Sequence, residues 1–81
     1  MRRRTDSQAV RGAMAAYVDW KEQSVAVQDT YSRWGSARQT DAQAAYLAYA
    51  AALDREARAS EAYADMVRRT ARRASSSRLA A

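Results

Sequence analysis

The amino-acid sequence predicts an all-α protein, an antiparallel two-helix hairpin completed as a four-helix bundle by dimerisation. Three observations predict it. The 81 residues include 21 Ala, no Pro and two Gly, so the best helix former dominates and helix breakers are nearly absent. Apolar residues on both sides of Gly35 recur at alternating steps of three and four, the spacing of one helical face. Those faces are broader than a single neighbouring helix can cover. A chain of this length holds one folded unit at most. Its eight Leu, Ile, Val and Phe residues are few, but Ala, Tyr, Trp and Met carry the remaining apolar mass.

Residues 1–4 read as a basic N-terminal arm. Helix 1 is expected over about 6–34, opened by the capping box Thr5-Asp6-Ser7-Gln8, whose hydroxyl and longer side chain satisfy the first backbone N–H groups. Asp6 suits the positive end of the helix dipole. The apolar stripe then runs Val10, Ala13, Tyr17, Trp20, Val27, Tyr31 and Trp34, with Ser24 in the missing place and Met14, Val18 and Val25 widening it. Arg11, Asp19, Glu22, Asp29 and Arg33 share the opposite face, and Asp29 with Arg33 has the i,i+4 spacing of an ion pair.

Gly35 stands where a helix C-cap favours glycine, and a turn over 35–39 leads into a second box, Thr40-Asp41-Ala42-Gln43. The two boxes lie 35 residues apart, and that offset also matches Ala13/Ala48, Asp19/Asp54 and Arg33/Arg68, a level Ala-rich helices reach by chance. Helix 2 is expected over about 41–74, with Tyr46, Tyr49, Leu53, Ala57, Ser60, Tyr63 and Val67 facing inward. Asp54, Arg58, Glu61, Asp65, Arg69 and Arg72 face outward, Asp54 with Arg58 and Asp65 with Arg69 again at i,i+4 spacing, and 75–81 read as a flexible tail. So short a link joins antiparallel neighbours, and folding at Ala37 makes facing residue numbers sum to roughly 74.

Helices of about 30 residues would be about 45 Å long. Chains this small, without a disulfide or metal, usually complete a core by oligomerising, and a homodimer closes four helices around shared stripes. A different helical partner, or a lone hairpin with its Ala-rich flank in water, satisfies the same pattern. The candidate self-association stripe, with coiled-coil-like spacing, comprises Val10, Met14, Tyr17, Trp20, Val27, Tyr31, Trp34, Tyr46, Tyr49, Leu53, Tyr63 and Val67.

The inventory of reactive side chains is thin. Absence of Cys removes disulfides, zinc fingers and thiol nucleophiles, while absence of His removes the imidazole base and the Glu-x-x-His di-metal pattern. Two glycines cannot build a phosphate-binding loop. No catalytic, metal or cofactor site and no small-molecule substrate is therefore expected, and the chain reads as a non-enzyme. Glu56 is the one acid expected inside the apolar stripe. A hydrogen bond to Tyr17 or Lys21 would make it a register-fixing contact, a reading preferred over a catalytic acid. Aromatic residues at helical spacing read as core in preference to base-stacking platforms. The longest apolar run, Ala44–Leu53, is about half a bilayer span, and polar residues follow Met1-Arg2-Arg3-Arg4 where a signal peptide is apolar. No membrane span is expected, and the location is read as cytoplasmic.

The net charge of +5 is unevenly placed. Residues 1–4 and 68–81 hold eight arginines and no acid: Arg2, Arg3, Arg4, Arg68, Arg69, Arg72, Arg73 and Arg78. Residues 5–67 hold six bases and all nine acids. A hairpin joins these ends into a candidate anion-binding pole. The plainer reading is arginine at a helix C-terminus, where it suits the dipole. No basic stripe follows either helix, so nucleic-acid binding would be nonspecific.

The segment AAYLAYAAALDREARASEAYADM from Ala44 to Met66, with Tyr17-Val18-Asp19-Trp20 and Tyr31-Ser32-Arg33-Trp34, resembles small α-helical actinobacterial proteins of unassigned function. The resemblance covers about two-thirds of the chain and implies a helical pair and a high-GC bacterial source. The chain is similar to WXG100-type secreted proteins in architecture alone, since Trp34-Gly35 lacks the residue between. The Tyr-x-x-x-Asp/Glu export signal is also missing, and secretion is not implied. The sequence thus points to a non-catalytic helical-hairpin interaction and self-assembly protein, partnered by a second copy or another helical protein. The alternative is a small nonspecific nucleic-acid-associated protein acting through its Arg-rich pole.

Overall fold

Two long helices make up the protein. The computed structural model describes residues 2–80, and the side chains of residues 7–76. Helix α1 spans Arg2–Ser36 and α2 spans Ala42–Ala80. At 1.5 Å per residue, their 35 and 39 residues make rods of about 50–60 Å. Both helices outrun the expected bounds. α1 begins ahead of Thr5–Gln8 and passes through it, so that tetrapeptide does not start the helix, and 2–4 are helix instead of an arm. α2 likewise continues through 75–80, expected as a tail. Neither stretch contains Pro or Gly, so nothing there stops a helix.

Gly35 is not a C-cap. α1 runs through it, and neither glycine has a positive φ. The helix closes at Ser36, whose hydroxyl donates to the Ser32 carbonyl (3.1 Å), while the Ala37 N–H donates to the Trp34 carbonyl (3.2 Å). The turn therefore moves from 35–39 to 37–41, where the Asp41 N–H donates to the Arg38 carbonyl (2.8 Å). The Asp41 carbonyl accepts from Ala45 N–H (2.9 Å), the first bond of α2, so Asp41 holds the N-cap position expected for Thr40. Among the described residues no side-chain bond joins Thr40 to Gln43.

This later turn resets the pairing of the two helices. Facing residue numbers sum to 80 in Tyr31–Tyr49, Tyr17–Tyr63 and Trp34–Tyr46, against the expected 74. The seam is also rotated by about one residue. Its protected positions on α1 include Ala9, Ala13, Ala16, Trp20, Gln23, Val27 and Thr30. On α2 they include Ala42, Ala45, Tyr49, Ala52, Glu56, Ala59, Tyr63, Met66 and Thr70, an unbroken three-four repeat. Among the described residues only Ala52 and Ala59 are fully buried hydrophobic side chains. Small side chains let helix axes approach closely, whereas a row of Tyr and Leu between them would hold the axes apart. Gly12 marks a close passage, because a Cβ there would collide with the terminal methyl of Met66.

Of the stripe expected from sequence, Trp20, Val27, Tyr49 and Tyr63 lie in the seam. Val10, Met14, Tyr17, Tyr31, Trp34, Tyr46, Leu53 and Val67 do not, and remain exposed on its flank. Hydroxyls near the seam are satisfied within their own helices: Ser24 donates to the Trp20 carbonyl (3.0 Å), Thr30 to Ala26 (2.7 Å) and Thr70 to Met66 (2.9 Å). The resulting rod measures 64 × 15 × 12 Å between Cα extremes. Its radius of gyration, 18.3 Å, compares with about 12 Å for a compact domain of this length.

Candidate interaction surface

The residues displaced from the seam collect on one side of the hairpin. On α1 they form two rows beside it: Val10, Tyr17, Ser24 and Tyr31, then Ser7, Met14, Lys21 and Gln28. On α2 the corresponding rows are Tyr46, Leu53, Ser60 and Val67, then Gln43, Ala50, Ala57, Ala64 and Ala71. Contacts of Tyr17 with Tyr63 and of Tyr31 with Tyr49 place these flanks on the same side. Among these described residues Lys21 is the one charged side chain. Its Nζ lies 6.0 Å from the Tyr17 ring and 5.9 Å from the Trp20 ring, so the cation rests against aromatic faces.

Two aromatic clusters of matching design brace this face. In the first, Trp20 stacks on Tyr63 (5.5 Å, 19°) and Tyr17 meets Tyr63 edge-on (5.4 Å, 60°). In the second, Trp34 stacks on Tyr49 (5.5 Å, 20°) and Tyr31 meets Tyr49 edge-on (5.4 Å, 61°). The clusters repeat Tyr-x-x-Trp of α1 against one Tyr of α2, fourteen residues apart on both helices. Tyr46 packs on Trp34 at 5.1 Å and closes the second cluster toward the turn. Toward the termini the first cluster borders an open groove of about 520 Å³, lined by Val10, Ala13, Met14, Tyr17, Val18, Tyr63 and Thr70.

Glu56 sits in the seam between the two clusters. Its carboxylate accepts a hydrogen bond from the Trp20 indole Nε1 at 2.7 Å across the helix pair. Neither Tyr17 nor Lys21, the partners expected from sequence, makes this bond; the reset pairing brings the indole N–H to the carboxylate instead. The bond joins residues 36 apart and ties the indole to α2 in one register.

Apart from Lys21 and the seam carboxylate of Glu56, the described charges lie on the other side and the outer edges. Asp19, Gln23, Arg55 and Arg58, with Ala59 and Ala62, line a shallow depression opposite the apolar face. Arg58 pairs with Asp54 at 2.7 Å, and Asp65 takes Arg69 at 3.0 Å and Arg68 at 3.9 Å. The two i,i+4 pairs match the sequence reading, whereas the described ion pairs do not include Asp29–Arg33. All are solvent-exposed and worth only tenths of a kcal/mol. The antiparallel course brings the N-terminus of α1 and the C-terminus of α2 to the same end. There Arg69 and Arg73 border a groove with Gln8 and Ala9. The side chains of Arg2, Arg3, Arg4 and Arg78 lie outside the described residues.

Among the described residues no cluster of three or more His, Cys, Asp or Glu could hold a metal ion, and no helix is long and apolar enough to cross a membrane. No known protein family, characterised protein or solved structure matches this chain.

Proposed function

We propose that this chain is a non-catalytic helical-hairpin interaction module that self-associates through its single apolar face. The observation that carries the reading is the mismatch between apolar residues present and apolar residues covered. Among the described residues eleven large hydrophobic side chains, from Val10 to Val67, stay exposed, while only Ala52 and Ala59 are buried hydrophobic residues. Scattered exposed apolar residues are ordinary, but a continuous face along a rod with Lys21 as its one described charge marks an interaction surface. Light scattering at tens of micromolar is the test. A mass of twice 9.0 kDa or more supports the reading, and a monomer overturns it.

A second reading rests on the shared end of the two helices, where arginines from both termini converge by chain direction. Nonspecific binding of nucleic acid there would weaken steeply with added salt. Absence of binding to duplex or single strands at low salt would remove it.

A further inference from the structure

We propose that the apolar face is covered by a second copy running in the opposite direction, so that Leu53 on α2 of each hairpin lies over Ala64, Val67 and Ala71 on α2 of the other. This rests on the self-association reading and adds its geometry.

Area comes first. The hairpin exposes 6587 Å², whereas a compact monomer of 9.0 kDa exposes about 4,900 Å². The excess, about 1,700 Å² per chain, is more than the roughly 800 Å² per partner that a standard stable interface takes. No partner of other chemistry is needed to account for it, and the face is self-complementary in being apolar and nearly uncharged throughout.

Charge fixes the direction. The terminal half of the hairpin, residues 1–19 and 61–81, carries nine bases and four acids, while residues 20–60 carry five of each. The whole net charge of +5 therefore sits at one end. Copies packed in the same direction would bring +10 together within one half-rod. Copies packed in opposite directions place each +5 half against a neutral one, with the basic halves separated along a rod 64 Å long. That separation exceeds the screening length of about 8 Å at physiological salt several times over.

Bulk agrees with charge. The α2 flank of the turn half presents Tyr46 and Leu53, whereas that of the terminal half presents Ala64, Val67 and Ala71. Opposed copies set large side chains against small ones, as close packing favours. With facing numbers summing to 80, the middle of the rod lies at Asp19 and Glu61. A two-fold axis there, lying across the rod in the plane of the interface, sets α1 against α1 and α2 against α2 of the other copy, with facing α2 numbers summing to about 122, which carries Leu53 over the stretch from Ala64 to Ala71.

The chain has no cysteine, so single substitutions give a clean test. Copies carrying Ala50→Cys and Ala71→Cys, differently tagged, are mixed and treated with a short bismaleimide, and the mass of uncross-linked protein is measured in parallel. A dimer whose cross-links join A50C to A71C supports the proposal. Cross-linking of A50C to A50C or A71C to A71C shows copies running in the same direction and overturns it. A dimer yielding neither product also overturns it while leaving self-association standing. A monomer removes both readings and leaves the face to a different protein.

Discussion

The Trp20–Glu56 bond offers a quantitative test of the seam. Replacing Glu56 by Met keeps length and helix propensity while removing the acceptor, and replacing Trp20 by Phe removes the donor and keeps an aromatic ring. A hydrogen bond to a charged group contributes roughly 1.5–3 kcal/mol when well shielded. Both side chains are only half-buried, so the lower end applies, about 1.5 kcal/mol of coupling in a double-mutant cycle. For a chain of this size that corresponds to a fall of about 6–12 °C in Tm for E56M. Helix content followed by circular dichroism during heating provides the measurement, at one fixed protein concentration because assembly shifts apparent stability. The W20F/E56M double variant should lose little more than W20F alone. Strictly additive losses, with coupling below about 0.3 kcal/mol, would show that the indole and carboxylate do not meet and that the pairing of the helices is wrong.

Other substitutions probe other parts of the same account. Gly35→Ala should raise stability by about 0.5–1 kcal/mol, since Gly35 is helical with open space where a Cβ would go; a loss of stability in denaturant titration would restore the C-cap reading. Ala59→Leu should cost about 1–3 kcal/mol by overfilling the seam, while Ala62→Leu on the exposed side should change stability by less than about 0.5 kcal/mol. Leu53→Glu should leave helix content nearly unchanged and convert the assembled form to monomer, measured by light scattering. Asp65→Asn should lower stability by less than about 0.5 kcal/mol, an effect that disappears in high salt.

Element type and direction were legible in the sequence because they rest on strong local terms: abundant Ala, absent Pro, and a polar gap too short for anything but a hairpin. Polar faces were legible too, since Asp19, Glu22, Arg58 and Arg69 mark solvent wherever the seam falls. The seam itself was misplaced for a definite reason. Reading large apolar residues as core selects Tyr46, Leu53 and Val67, but in a two-helix unit the inner row is chosen by how closely axes can approach. That favours Ala45 and Ala52, one position before Tyr46 and Leu53, and Ala59, one before Ser60. Heptad-spaced alanines were the available signal, diluted by the many other alanines in the chain. The turn was placed two residues early because Gly35 was given a cap's role, although a glycine followed by Ser and Ala can continue a helix at modest cost. That small error moved every facing pair, and with it the partner of Glu56.

The twin aromatic stacks have a bearing on how the hairpin closes. Trp34 on Tyr49 and Trp20 on Tyr63 are nearly the same contact, at the same spacing and tilt, yet one closes a loop of 15 residues and the other a loop of 43. With equal contact chemistry, chain entropy separates them, by about 0.9 kcal/mol on the logarithmic dependence of loop closure. The turn stack should therefore form first and shorten the loop left to the other. Closure should then run as a zipper from the turn toward the termini, with Trp20 reaching Glu56 and Tyr63 after the turn stack has formed.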